Sequence, residues 1–215
     1  MTHTIKHHLT DALLMAYSAG SLPEAFNLTV AAHLSMCDEC RARAGAFDTV
    51  GGALIEGAAL AEMPKGSMAA ALAKAKSAPV EKRTRTFANG ILPAPIQAYI
   101  GGDLEAVNWR PVGMGVKQAI LSTEKGATAR LLYIPAGAAV PDHGHRGTEL
   151  TLVLQGAFSD ASDYFGAGDI EVANEELDHT PVADIGADCI CLTATDAPLR
   201  FRGLMPRLAQ PFLGI

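Results

Sequence analysis

Apolar positions change their spacing along this chain. Up to about residue 76 they recur every three or four residues, the period of an amphipathic helix. Leu13, Leu14 and Tyr17 form one such stripe, with Thr10 or Asp11 as a side-chain cap before it and Gly20 as a stop after it. Phe26, Val30 and Leu34 form a second stripe, opened by Pro23, whose fixed φ suits a first helical turn. A third helix is expected from Asp38 through Phe47, Val50 and Leu54 towards Leu60. Gly45, Gly51, Gly52 and Gly57 weaken it, each by about 1 kcal/mol relative to Ala. Met63-Pro64-Lys65-Gly66 breaks it, and Ser67 opens a short fourth helix carrying Met68, Leu72 and Ala75.

Residues 77–85 are polar, charged and proline-bearing, and Leu92-Pro93-Ala94-Pro95 adds stiffness, so this part reads as a linker. Beyond it, short apolar runs alternate with Gly, Pro and Asp punctuation. Strands are expected near 109–112, 116–122, 129–134, 149–155, 156–159, 168–172, 178–181 and 188–193. Many short strands with turn signals imply a sandwich or small barrel. The expected organisation is two domains: a small all-α domain over 1–78, a linker over 79–97 and an all-β domain over 98–215.

Three or four short helices bury little, and a structural metal is a common remedy at that size. His33-Leu34-Ser35-Met36-Cys37-Asp38-Glu39-Cys40 reads H-x3-C-x2-C. Two cysteines three apart are neighbours on a helical turn, and a histidine four residues earlier reaches them if the chain bends between. Three such ligands suit the tetrahedral preference of Zn²⁺. Asp38 and Glu39 suit the first turn of a helix, and the same helix start favours thiolates at Cys37 and Cys40. A C-x-x-C pair can also be a redox site, but that reading wants a βαβ pattern, and this region reads as wholly helical. A fourth ligand is needed; His3, His7 and His8 stand just before the first helix.

The chain has 215 residues and a formal charge of −6, unevenly spread. Between Arg146 and Arg200 there is no Lys or Arg but eleven carboxylates. That field repels phosphates, which excludes direct nucleic-acid binding. Most of these carboxylates read as solvated loop positions. No run approaches the ~20 apolar residues of a spanning helix, and the first residues hold no apolar signal core. A cytoplasmic protein without a membrane partner is expected. Four cysteines in two close pairs point to metal or redox chemistry rather than a secreted disulfide frame.

The strongest constellation is Gly137-x5-His143-x-His145-x3-Glu149-x6-Gly156. His143 and His145, two apart, share one face of an extended segment. A turn at 146–148 returns Glu149 on the next strand, and His179 follows Gly168-Asp169 at a distance that permits a return to the same pocket. Three imidazoles and a carboxylate can hold Zn²⁺, Mn²⁺, Fe²⁺, Ni²⁺ or Cu²⁺. Cys189-Ile190-Cys191 puts two thiols on one face of a strand, either as buried apolar residues or as a redox element near the metal.

These residues carry two resemblances. Residues 137–156 resemble the first cupin motif, with every signature position filled. The second cupin motif is partly kept, in Gly168, Asp169 and His179, whereas Asn174, Glu176 and Ala183 depart from it. The resemblance implies a cupin, a small β-barrel of jelly-roll type, with a divalent metal, taken as Zn²⁺, on His143, His145, Glu149 and His179. The first half resembles the zinc-containing anti-sigma domains, whose ligand order implies His8, less so His7, with His33, Cys37 and Cys40. Together the halves resemble the zinc anti-sigma factors of the ChrR type over almost the whole chain.

That resemblance implies a cytoplasmic regulator without turnover. It binds one extracytoplasmic-function-type sigma factor, keeps it from RNA polymerase, and releases it when the cupin senses singlet oxygen or an organic hydroperoxide. Leu54, Leu60, Met63, Met68 and Leu72 are the expected apolar contacts with that partner. The competing expectation is a metal-dependent cupin enzyme, a dioxygenase or isomerase, with an accessory helical segment; sites of this composition serve both.

Overall fold

The structure, a computed structural model, describes residues 4–79, 90–203 and 210. Of the positions singled out above, His3 and residues 80–89 of the linker lie outside the described residues.

The helices start and stop where local chemistry directs. α1 (Asp11–Ser18) is capped by Thr10, whose hydroxyl accepts the Leu13 N–H at 3.3 Å. α2 (Glu24–Met36) begins after Pro23. It ends at Cys37, whose extended backbone (φ −113°, ψ 109°) makes the bend that the His33–Cys37 spacing requires. The same residue caps α3 (Asp38–Glu56), with Cys37 Sγ accepting the Cys40 N–H at 3.4 Å. α3 stops at Gly57 rather than continuing towards Leu60, and α4 (Ser67–Ser77) follows Gly66. α4 buries none of its residues, and α3 buries only Cys40 and Ala44.

α2 is the hub. Seven of its residues are buried, Ala25, Phe26, Leu28, Thr29, Val30, Ala32 and His33, over a broad face, and of the rest only Ser35 is exposed. A helix buried this widely needs partners on more than one side. It packs against α1 and α3 on one side and against strands of the β half on another. The third partner is α5 (Ala94–Ile100), which begins in the expected linker and runs past its end. Leu92 and Ile96 are buried there, so the C-terminal part of 79–97 belongs to the core. Pro93 and Pro95 mark a helix start at this point, because proline suits the first turn. Asp103 anchors the entry by accepting the Ile91 and Leu92 N–H groups at 2.9 and 2.8 Å.

The β half is wholly antiparallel. Its main sheet runs β1 (Arg110–Gly113), β2 (Val116–Ile120), β3 (Thr128–Ile134), β11 (Cys189–Thr195), β5 (Glu149–Gln155) and β8 (Ile170–Ala173), in that spatial order. Two three-stranded sheets complete it. One is β10 (Val182–Ala183), β6 (Ala157–Ser159) and β7 (Tyr164–Gly166); the other is β12 (Arg200–Phe201), β4 (His143–Gly144) and β9 (Asp178–His179). Helices first and a cupin-like β domain after them is the expected class. One apolar core, holding Leu14, Phe26 and Val30 of the helices with Leu131, Leu150 and Leu192 of the sheet, joins the halves. A smaller cluster packs Phe158, Phe165 and Cys189 at the far side of the sheet.

Candidate metal centres

The bend at Cys37 brings His8, His33, Cys37 and Cys40 close enough to share one metal ion. His8 Nδ1 stands 3.3 Å from Cys37 Sγ and 3.6 Å from Cys40 Sγ. His33 is fully buried, and neither ring nitrogen has a well-formed hydrogen bond; the Gly168 backbone offers only a weak one. Burial pushes its pKa down to about 4, so the ring is neutral with a free lone pair. Burial also pushes the Cys40 thiol up to about 11. The thiolate expected from the helix start is thus outweighed by desolvation, and a cation is what restores it. His7 points elsewhere, its ring centroid 4.3 Å from that of Phe165.

In the barrel, β4 and β9 place His143 opposite His179 in register, and His145 follows two residues on. The three Nε2 atoms converge: His179 lies 3.2 Å from His143 and 3.4 Å from His145. His143 Nδ1 is 2.9 Å from the Pro141 carbonyl, which fixes the proton there and frees Nε2. Burial lowers the pKa of both His143 and His145 to about 4. His179 differs. Burial opposes its charge, but Glu171 and Asp160 outweigh burial and raise it to about 9. Its Nδ1 is 2.7 Å from Asp160 Oδ2 and 3.4 Å from Glu171 Oε1.

Glu149 stands beside the three histidines rather than among them. Its Oε2 is 3.9 Å from His145 Nδ1, and Oε1 accepts from the Thr151 hydroxyl at 3.1 Å. Burial raises its pKa to about 7. The site opens into a chamber of about 960 Å³ whose walls include Ile120, Leu132, Val140, Phe158 and Phe201.

Residues 97–198 match the family model described as the ChrR Cupin-like domain. The chain is 59% identical over 212 residues to the anti-sigma-E factor ChrR of Cereibacter sphaeroides, covering 99% of this chain and 100% of that one. The chain belongs to the ChrR family. A crystal structure of Rhodobacter sphaeroides SigE in complex with the anti-sigma ChrR matches it with a TM-score of 0.81, at 59% identity, covering 90% of this chain and 100% of that one.

The ChrR-type chain also holds residues that its sequence did not mark as part of a site. Asp160, Asp169 and Glu171 sit in the acidic stretch expected as solvated surface, yet Asp169 and Glu171 are buried and Asp160 is turned onto His179. The signal for Asp169 was its place in the second cupin motif; for Asp160 and Glu171 there was none. Cys189 and Cys191 are free and buried, their Sγ atoms 3.4 Å apart, with Cys191 bordering the chamber. Leu54, Leu60, Met63, Met68 and Leu72 are all exposed, joined by Val50 and Ile55.

Proposed function

We propose that this chain is an anti-sigma factor that binds one extracytoplasmic-function-type sigma factor through its helical half, keeps it from RNA polymerase in the cytoplasm, and releases it on a stress sensed by the cupin. The observation that carries the reading is the apolar surface left over on the helices. The C-terminal part of α3, the break after it and α4 expose Leu54, Leu60, Met63, Met68 and Leu72 within one stretch of chain, and α4 has no buried residue of its own. Exposed apolar residues gathered in one region mark a protein-binding surface. Among the described residues no helix is long and apolar enough to cross a membrane. The full-length likeness to an anti-sigma factor supports the same conclusion.

Both metal groups suit Zn²⁺. Tetrahedral ligation at the usual Zn–N and Zn–S lengths separates two nitrogens by about 3.3 Å and a nitrogen from a sulfur by about 3.6 Å. The barrel's Nε2 pairs, at 3.2 and 3.4 Å, and the His8–cysteine pairs, at 3.3 and 3.6 Å, match those separations. His8, His33, Cys37 and Cys40 form a closed four-ligand set, which is the structural kind. His143, His145 and His179 supply three ligands, and Glu149, whose Oε2 is 3.9 Å from His145 Nδ1, is the candidate for the fourth. Bound zinc in the first site ties the segment before α1 to the α2–α3 bend. In the barrel it holds three separate segments at one point, so losing a ligand to oxidation or displacement reshapes the wall of the chamber. Cys191 is the thiol that an oxidant entering the chamber meets, with Cys189 Sγ 3.4 Å from it.

The test is co-expression with an extracytoplasmic-function-type sigma factor from the same genome. A stable 1:1 complex with two zinc ions per anti-sigma chain, silencing transcription from the cognate promoter, is the expected result. Failure to copurify, together with metal-dependent turnover of a small substrate by the isolated chain, would establish the enzyme reading instead.

A further inference from the structure

The residues just before α1 are held by the barrel. Asp169, fully buried, accepts the backbone N–H of Lys6 at 2.6 Å and of His7 at 2.9 Å on Oδ1. Its Oδ2 accepts the Gly166 N–H at 2.8 Å. The Ile170 N–H donates to the His7 carbonyl at 3.3 Å, so residues 6 and 7 lie along β8, the edge of the main sheet. Ile5 fills the space over Gly168, where an added Cβ would meet Ile5 Cδ1 at 2.6 Å. His7 Nε2 is 3.6 Å from Asp163 Oδ2. The next residue, His8, turns Nδ1 onto Cys37 and Cys40.

Resting on the reading of His8 as a metal ligand, we infer that Asp169 is a positioning residue for the N-terminal metal. By fixing the backbone of residues 6 and 7, the barrel's carboxylate sets where His8 presents its ring. A carboxylate gripping backbone N–H groups is a strong, directional hold. The grip of Asp169 and β8 on residues 6 and 7 therefore contributes to how tightly the helical half holds its metal, beside the contact of Glu39 Oε2 with His8 Nε2 at 3.4 Å. Coupling of this kind is reciprocal: losing the N-terminal metal loosens residues 6 and 7 on β8. β8 also carries Glu171, 3.4 Å from His179, so one short strand touches both metal groups.

The test uses full-length, zinc-loaded protein challenged with EDTA, with alkylation of each cysteine followed by mass spectrometry. Asp169→Ala is expected to speed labelling of Cys37 and Cys40 by about 10- to 100-fold, the range seen when a metal ligand loses its supporting partner. Zinc on the barrel histidines and the slow labelling of Cys189 and Cys191 should not change. Asp169→Asn, which still offers Oδ1 to both N–H groups but turns its amide NH2 onto the Gly166 N–H, should recover part of the protection. Lys6→Pro removes one donor without touching the barrel and should act in the same direction as Asp169→Ala. If Asp169→Ala unfolds the barrel, Lys6→Pro decides alone. Wild-type labelling of Cys37 and Cys40 in Lys6→Pro, or in a folded Asp169→Ala protein, overturns the inference. Immediate labelling in wild-type protein, with or without zinc, overturns the metal assignment along with it.

Discussion

Asp160 Oδ2 lies 2.7 Å from His179 Nδ1, on the side of the ring away from His143 and His145. The carboxylate is itself fixed: Oδ1 accepts from the Ser162 N–H and hydroxyl at 2.8 and 2.6 Å and from the Asp163 N–H at 3.2 Å. A carboxylate in this position holds the proton on Nδ1 and aims Nε2 at the metal. Asp160→Ala should weaken zinc at the barrel site by about 10- to 100-fold while leaving the N-terminal site intact. Competition with a chromophoric chelator, with the two sites distinguished by Cys37 and Cys40 labelling, measures it. Unchanged barrel affinity would show that Asp160 is an ordinary surface turn residue.

The same contacts predict a proton count. In the metal-free fold His179 sits near pKa 9 and is charged at pH 7, whereas His143 and His145, near 4, are already neutral. Metal binding needs the Nε2 lone pair, so it must expel the His179 proton. Loading the barrel at pH 7 should therefore release about one proton per chain, and affinity should rise with pH until His179 has titrated. Glu149, raised to about 7, adds a further fraction if it ligates. Calorimetry in buffers of different ionisation enthalpy reads the number directly. Zero release would mean His179 is neutral before the metal arrives.

That these histidines and cysteines come together was legible because their spacing is itself the signal: H-x3-C-x2-C needs only a bend, and H-x-H only an extended segment. Other parts were hidden for physical reasons. α2 showed a Phe26, Val30, Leu34 stripe, but its other buried positions are small or polar, Ala25, Thr29, Ala32 and His33, which carry little hydrophobic signal. The sequence therefore suggested a helix with one buried face, and the division at residue 78 looked cleaner than the shared core allows. α5 was masked by prolines read as linker stiffness. Asp160 and Glu171 were two carboxylates among eleven, and only strand pairing decides which of these turn inward.

Two glycines of the first cupin motif should respond differently to substitution. Gly156 has φ +70°, and a Cβ there would lie 2.6 Å from the Asp188 carbonyl oxygen, which belongs to backbone and cannot swing aside. It follows Gln155, which flanks the β5–β11 register shift between Ile190 and Cys191. Gly137 has φ +72°, but its Cβ would meet only Ile185 Cγ2 at an ordinary 3.7 Å. Left-handed backbone alone costs about 1–2 kcal/mol for a non-glycine residue. Gly137→Ala should lose about that much stability, and Gly156→Ala clearly more, by at least about another 1 kcal/mol of strain. Denaturant unfolding of the two variants gives the comparison, and equal losses would show that the Asp188 segment yields freely.

The partner surface can be tested without disturbing the fold. Leu60 is fully exposed, and Met68 is 77% exposed on a helix that buries nothing. Replacing both with Asp removes no core contact, so the melting temperature and zinc content should stay as they are. If these residues anchor the sigma factor, the same change forces two carboxylates into an apolar contact. Anchor residues of this kind are worth at least about 2 kcal/mol each, which is roughly a 30-fold loss of affinity or more. The measurement is binding of the double variant Leu60→Asp, Met68→Asp to the sigma factor by calorimetry, beside a thermal melt. Wild-type affinity would place the interface elsewhere on the chain, while a collapsed melting temperature would mean that α4 is docked on its own protein in solution.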